Sequence, residues 1–294
     1  MAEFVLSEAI SLHNIGRVDS NYQGVDNGVP LLNSFYFRFE KPDSGEAVEN
    51  RIMVISVFPA GSAKDLTPTA DLHRPNVESG KIMLIYQDQA ADEDKDHYFS
   101  KVSHLVEPSP IHPVPVQIGN VRRFHMRDVG CTGKCVRLLP IRPSNREVFV
   151  LVGFHLFFTG GRDHNIDEIA IFEESGNLTV AFNDRNDDDV FAYGVDFALW
   201  SPDATSTIET HEERGTAMGG ARIALPRGEK VIQGFSFNFK TGDHFLRDIG
   251  VLIGPSLALP SSNLEVYFSD QNGDDTFEWK VRWATIKQIG AAIN

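Results

Sequence analysis

Basic residues are scarce in this chain: 27 Lys+Arg stand against 41 Asp+Glu in 294 residues, a net charge of −14. A nucleic-acid surface needs a cationic excess that this composition does not supply, so no nucleic-acid partner is expected. Cysteine is scarcer still. The two present, Cys131 and Cys135, cannot build a disulfide framework and suit a reducing compartment. No stretch approaches the ~20 apolar residues of a membrane helix, so no membrane span is expected. The opening Met1-Ala-Glu-Phe-Val-Leu-Ser-Glu has no basic segment running into an apolar one. The expected location is therefore cytoplasmic, or outside the cell by export without a conventional signal peptide. The sequence also lacks G-x-x-x-x-G-K-[ST], a strand-to-helix G-x-G-x-x-G, G-x-S-x-G and H-E-x-x-H, which removes support for nucleotide hydrolysis, dinucleotide redox chemistry and the common hydrolase devices.

What the chain does have is internal repetition. Asn177-Leu-Thr-Val-Ala-Phe-Asn-Asp184 and the residues up to Val195 align without a gap on Asn263-Leu-Glu-Val-Tyr-Phe-Ser-Asp270 and the residues up to Val281. Upstream, Gly153-Phe-His-Leu-Phe-Phe with Asp163-His164 and Ile169 corresponds to Gly234-Phe-Ser-Phe-Asn-Phe with Asp243-His244 and Ile249. The unit spans roughly 80 to 85 residues. A diverged third copy lies near the start, where Ser34-Phe-Tyr-Phe-Arg-Phe and Ile82-Met-Leu-Ile-Tyr-Gln-Asp88 match the same motifs. Glu107-Pro-Ser-Pro-Ile-His-Pro-Val-Pro115 reads as a semi-rigid linker. The expected organisation is a diverged first β repeat over 1–106, a Pro-rich linker over 107–119, a second repeat over 120–214 and a third over 215–294.

Apolar residues recur on period 2, as in Phe35/Phe37/Phe39, Phe235/Phe237/Phe239, Phe191/Tyr193/Val195/Phe197/Leu199 and Phe277/Trp279/Val281/Trp283. The 21 phenylalanines, against 6 tyrosines and 3 tryptophans, suit the interior of stacked sheets. The fold expected is all-β, with tandem antiparallel β-sandwich-like units of about five strands each; the long first unit and the proline linker favour units packed side by side over a three-bladed or threefold closed arrangement. The stretch from Trp283 to Asn294 is the one place where a short helix is expected.

Acidic residues concentrate in aligned bends. Asp184, Asn186, Asp188 and Asp189 occupy one, Asp270, Asn272, Asp274 and Asp275 its copy, and Asp88 to Asp96 a longer relative. Spacing of two along a bend turns alternate oxygens inward around a hard cation, which makes weak Ca2+ binding one expectation for these residues. They are not EF-hands, because position 12 is Val195 or Val281 where a bidentate glutamate belongs. Plain turn chemistry by Asp, Asn and Gly is the competing expectation. The repeated Asp163-His164 and Asp243-His244 read as turn contacts, since duplication speaks against a catalytic centre. His125-x5-Cys131-x3-Cys135 supplies three zinc-capable side chains but no fourth, and two free thiols beside a glycine turn are the simpler account.

These features lead to a non-enzymatic binding or assembly protein, whose ligand is a glycan, another protein or further copies of itself. Tyr193, Tyr267 and Trp279 are candidate sugar-facing aromatics, and core packing accounts for them at least as well. The alternatives are a structural subunit of a shell, tail or injection apparatus, and a hydrolase using loop carboxylates.

Overall fold

Rows of apolar residues at period 2 cannot bury a face alone, so they pair into sheets and stack. The computed structural model describes residues 5–21, 28–40, 51–59, 80–87, 97–108, 119–159, 164–184, 189–202, 206–241, 244–255, 262–270 and 275–288. Every regular element among them is a strand. The first six are β1 (Val5–Ile15), β2 (Val18–Asn21), β3 (Gly28–Glu40), β4 (Val54–Pro59), β5 (Lys81–Gln87) and β6 (His97–Pro108). The next six are β7 (Gly119–Thr132), β8 (Lys134–Leu138), β9 (Val148–Phe158), β10 (Glu168–Glu174), β11 (Asn177–Asn183) and β12 (Val190–Pro202). The last six are β13 (Ser206–Met218), β14 (Gly220–Ala224), β15 (Glu229–Phe239), β16 (Asp248–Ile253), β17 (Asn263–Ser269) and β18 (Thr276–Gln288). The helix expected from Trp283 onward is not there: Trp283 to Gln288 continue β18, flanked by β13 and, as far as Ile286, by β15. Two neighbouring strands satisfy that backbone, and this outweighs the local pattern. Residues 289–294 lie outside the described residues.

The strands form three six-stranded antiparallel sheets, ordered β1-β6-β3-β16-β17-β14, β7-β12-β9-β4-β5-β2 and β13-β18-β15-β10-β11-β8. No sheet is closed on itself. Raising every strand number by six turns each order into the next, with the last third running on into the first. Each sheet thus takes three strands from one third of the chain and three from another, so pairing is not confined within successive units. At the three seams, Phe35 opposes Val251, Phe154 opposes Val57 and Phe235 opposes Ile171. The linker prolines from 110 to 115 fall outside the described residues.

The three sheets face one interior. At its centre Phe35, Phe154 and Phe235 meet, with ring centroids 5.2, 4.8 and 5.6 Å apart for the three pairs. These are the phenylalanines that the repeat alignment places in register. One residue before the Ser or Gly that precedes each ring, the strand carries an extra unpaired residue: Asn33 in β3, Val152 in β9 and Gln233 in β15. Such a bulge bends its strand and increases the twist, here aiming each phenylalanine at the common centre. Hydrogen bonds cross between thirds beside the bulges. Asn33 Nδ2 donates to the Lys230 carbonyl at 2.8 Å, Gln233 Nε2 to the Phe149 carbonyl at 3.0 Å, and His104 Nε2 to the Val152 carbonyl at 2.7 Å. Gly153 is required where it stands, because a Cβ there would lie 2.5 Å from the Val57 carbonyl oxygen.

Below this centre, stacked pairs repeat around the interior: Phe39 with Tyr86 at 4.1 Å, Phe158 with Phe182 at 4.4 Å and Phe239 with Phe268 at 4.3 Å. The chain passes between sheets at three corners, each containing a glycine with positive φ: Gly16 at 57°, Gly133 at 60° and Gly219 at 66°. At the second corner the expected free thiols are corrected. Cys131 and Cys135 form a disulfide across the turn, with Cα atoms 5.7 Å apart, because the short β7–β8 bend points both side chains into the same gap between sheets.

Two expectations for stability follow. Phe235→Ala removes one of three mutually contacting rings and should destabilise the fold by about 3–5 kcal/mol in denaturant unfolding, with Phe154→Ala similar. His104 is fully buried, and desolvation lowers its pKa from 6.5 to about 3. A group depressed in the folded state loses stability as pH falls below its unfolded value, so unfolding free energy should decline from pH 6.5 towards 3. At pH ~5 this share is about 2 kcal/mol. His104→Gln, which keeps a donor for Val152, should remove it when urea titrations at neutral and acidic pH are compared.

Candidate functional site

The turn histidines and the acidic bends, separate in sequence, come together in space. His164 lies in the connection between β9 and β10, and Asp184 and Asp189 flank the bend between β11 and β12. Its Nδ1 is 2.7 Å from Asp189 Oδ2 and 3.9 Å from Asp184 Oδ2. The copy has the same plan: His244, between β15 and β16, places Nδ1 2.9 Å from Asp275 Oδ2, with Asp270 completing the group. Within each trio the three candidate ligand atoms lie within 4.8 Å of one another. Side chains are partly buried, 16% exposed for His164 and 18% for His244. Of the expected site residues, Asp184, Asp189, Asp270 and Asp275 are thus gathered around a histidine. Asn186, Asp188, Asn272 and Asp274 lie outside the described residues, as do Asp163, Asp243 and the bend from Asp88 to Asp96.

The backbone explains why the histidines sit there. His164 exchanges two hydrogen bonds with Ile52, at 2.8 and 3.0 Å, and His244 exchanges two with Ile166, at 2.9 and 3.0 Å. Each is therefore an isolated bridge between one third of the chain and the next, at the foot of a seam. The rings rest against the stacked pairs of the interior, His164 on Phe158 at 4.2 Å and His244 on Phe239 at 4.4 Å. Aromatic contact on one side and carboxylates on the other fix each imidazole. The histidines share the repeat register with the acidic residues, and that shared register was the one signal in the sequence that linked them.

Other candidates resolve differently. His125 is no companion of the cysteines: its Nδ1 lies 2.7 Å from Asp196 Oδ1, in a buried group where Arg123 Nε donates to Asp196 Oδ2 at 3.1 Å. Arg122 and Arg123, adjacent in the chain, pair with Glu147 and Asp196. Tyr193 and Trp279 are buried in the core and present no face to a sugar, while Tyr267 is half-buried with its hydroxyl donating to Glu265 at 2.6 Å. Strand alternation put Tyr193 and Trp279 inward, where packing between sheets holds them.

No family model matches the chain, and no curated protein matches it. Among solved structures, one described as "Structure of infectious bursal disease virus Gt strain" is 7% identical over 98% of this chain and 78% of that one, with a TM-score of 0.10. A likeness that low carries no argument about fold or function. Among the described residues, no helix is long and apolar enough to cross a membrane.

A double-mutant cycle tests the histidine groups directly. His164→Asn and Asp189→Asn should show a coupling of about 1 kcal/mol in unfolding free energy. His164→Asn with Asp275→Asn, which join different groups, should be additive.

Proposed function

We propose a non-enzymatic binding or assembly protein built from three copies of one six-strand unit that exchange half-sheets, with a divalent cation held at the His164–Asp184–Asp189 and His244–Asp270–Asp275 groups. The observation that carries this reading is the recurrence of the same trio, with matching Nδ1 to carboxylate distances of 2.7 and 2.9 Å, at two equivalent seams. A cation bound there ties the bend of one hairpin to the bridge that joins neighbouring thirds, so occupancy reinforces the seams. Duplication fits a structural or avidity role better than a catalytic one. The imidazole alters the choice of ion. Calcium prefers an all-oxygen shell, whereas nitrogen with two carboxylates suits Mn2+ or Zn2+.

Assembly is favoured over capture of a small ligand by one further observation. Edge strand β8 carries two exposed apolar side chains, Val136 at 54% and Leu138 at 64%, on the open side of its sheet. An edge of this kind pairs with another chain unless something blocks it. A second copy of this protein is the occupant this reading favours.

Two measurements test the proposal on the oxidised full chain. Mn2+ or Zn2+ at ten times its Kd should stabilise the fold by about 1.4 kcal/mol per site, with Ca2+ weaker. The His164→Asn/His244→Asn variant should lose that gain. If none of the three ions shifts the melting temperature, the trios are hydrogen-bonded clasps without a cation. For assembly, light scattering over a concentration series should show an oligomer that Val136→Lys/Leu138→Lys dissociates; a monomer at all concentrations overturns that part.

A further inference from the structure

The corner at Gly133 differs from its two counterparts. All three corners turn on a positive-φ glycine, but Gly16 is flanked by Asn14 and Val18, and Gly219 by Ala217 and Ala221, where Gly133 has Cys131 and Cys135. The turn forms twice without a covalent link, so its geometry does not explain the sulfur pair. Asp128 joins them: one carboxylate oxygen and the two Sγ atoms lie within 4.8 Å of one another. Asp128 is held in place, its Oδ2 accepting from Arg137 Nε at 2.6 Å and its Oδ1 from the Val129 N–H at 2.8 Å. Tyr193, opposite Asp128 in the β7–β12 pairing, supplies an independent sign. Its side chain is fully buried, and among the described residues its hydroxyl has no hydrogen-bond partner. Burial first and the Asp128 charge second push its pKa up to about 12.

We propose that the reduced corner is a binding site for a thiophilic divalent cation, zinc foremost, held by the thiolates of Cys131 and Cys135 and the Asp128 carboxylate. A small dithiol supplies the electrons. Its thiolate attacks Cys135 Sγ, the less buried of the two, and expels Cys131 as a thiolate; its second thiol then displaces Cys135 as the reagent closes to a cyclic disulfide. Cation binding leaves both cysteines deprotonated, and their thiol protons pass to solvent. Three negative ligands are balanced by two charges on the cation and one on the Arg137 guanidinium. Three protein ligands leave a fourth tetrahedral position for water, which gives the Tyr193 hydroxyl a partner. Oxidation closes the disulfide and abolishes the site, so metal content here follows redox state.

The test uses the full chain, reduced with dithiothreitol, freed of reagent under anaerobic conditions and titrated with Co2+ as a spectroscopic stand-in for zinc. A sulfur-to-cobalt charge-transfer band should saturate at one equivalent, and zinc should quench it. The histidine trios contain no sulfur and cannot produce this band, so failure of either proposal is distinguishable from failure of the other. The oxidised chain should give no band, Cys131→Ser, which keeps one thiolate, should give at most half of its intensity, and Asp128→Asn should weaken binding by about ten- to a hundredfold. A folded, reduced chain without the band, or a band of full strength in Cys131→Ser, overturns the proposal. If reduction unfolds the chain, cobalt should restore the strand circular dichroism; failure to restore it also overturns the proposal.

Discussion

Three phenylalanine rings in mutual contact, one from each third of the chain, are the constraint on which the rest of the molecule depends. Phe35, Phe154 and Phe235 reach the centre only because β3, β9 and β15 each bulge just before them. The bulges create polar gaps, and three different solutions fill them: an asparagine, a glutamine and, beside Val152, the buried His104. Near-equivalent backbone with divergent side chains is the pattern expected when packing fixes geometry and sequence drifts around it. The central packing goes together with the exchange of strands: β3, β9 and β15 all face that point, and each pairs on one side with a strand of another third.

Much of this was legible before the structure. The alignment that put Gly153-Phe154 on Gly234-Phe235 and Ser34-Phe35 identified the central rings as a set, and period 2 identified the strands. Period 2 reports which face a residue occupies and says nothing about which strand lies beside it, so units packed side by side and units exchanging half-sheets have the same pattern. The same limit explains Tyr193 and Trp279, whose alternation marked one face without showing that it was the inner one. Trp283 to Gln288 read as a helix because no local signal reports a strand on either side.

The site shows a similar division. Asp184, Asp189, Asp270 and Asp275 stood out by composition, and His164 and His244 by repetition, but their meeting is a long-range event set by the bridges to Ile52 and Ile166. The chain neighbour of His164 is Asp163, whereas the carboxylates its ring meets, Asp184 and Asp189, come from a later bend. The cysteines show the opposite failure. Two residues do not make a framework, yet a corner that brings Cα atoms to 5.7 Å makes one bond across them easy.

The pairing of Phe35 with Val251 also bears on how the molecule comes into being. During synthesis β3 emerges long before β16, so its outer edge stays bare while most of the chain is made. The seams between β4 and β9 and between β10 and β15 join segments that emerge in succession and can close in that order; the seam between β3 and β16 must close last. The protein is a ring held by a clasp, whose first half waits on the ribosome for its second, and any pause or truncation before Asp248 leaves an unpaired strand facing the cell.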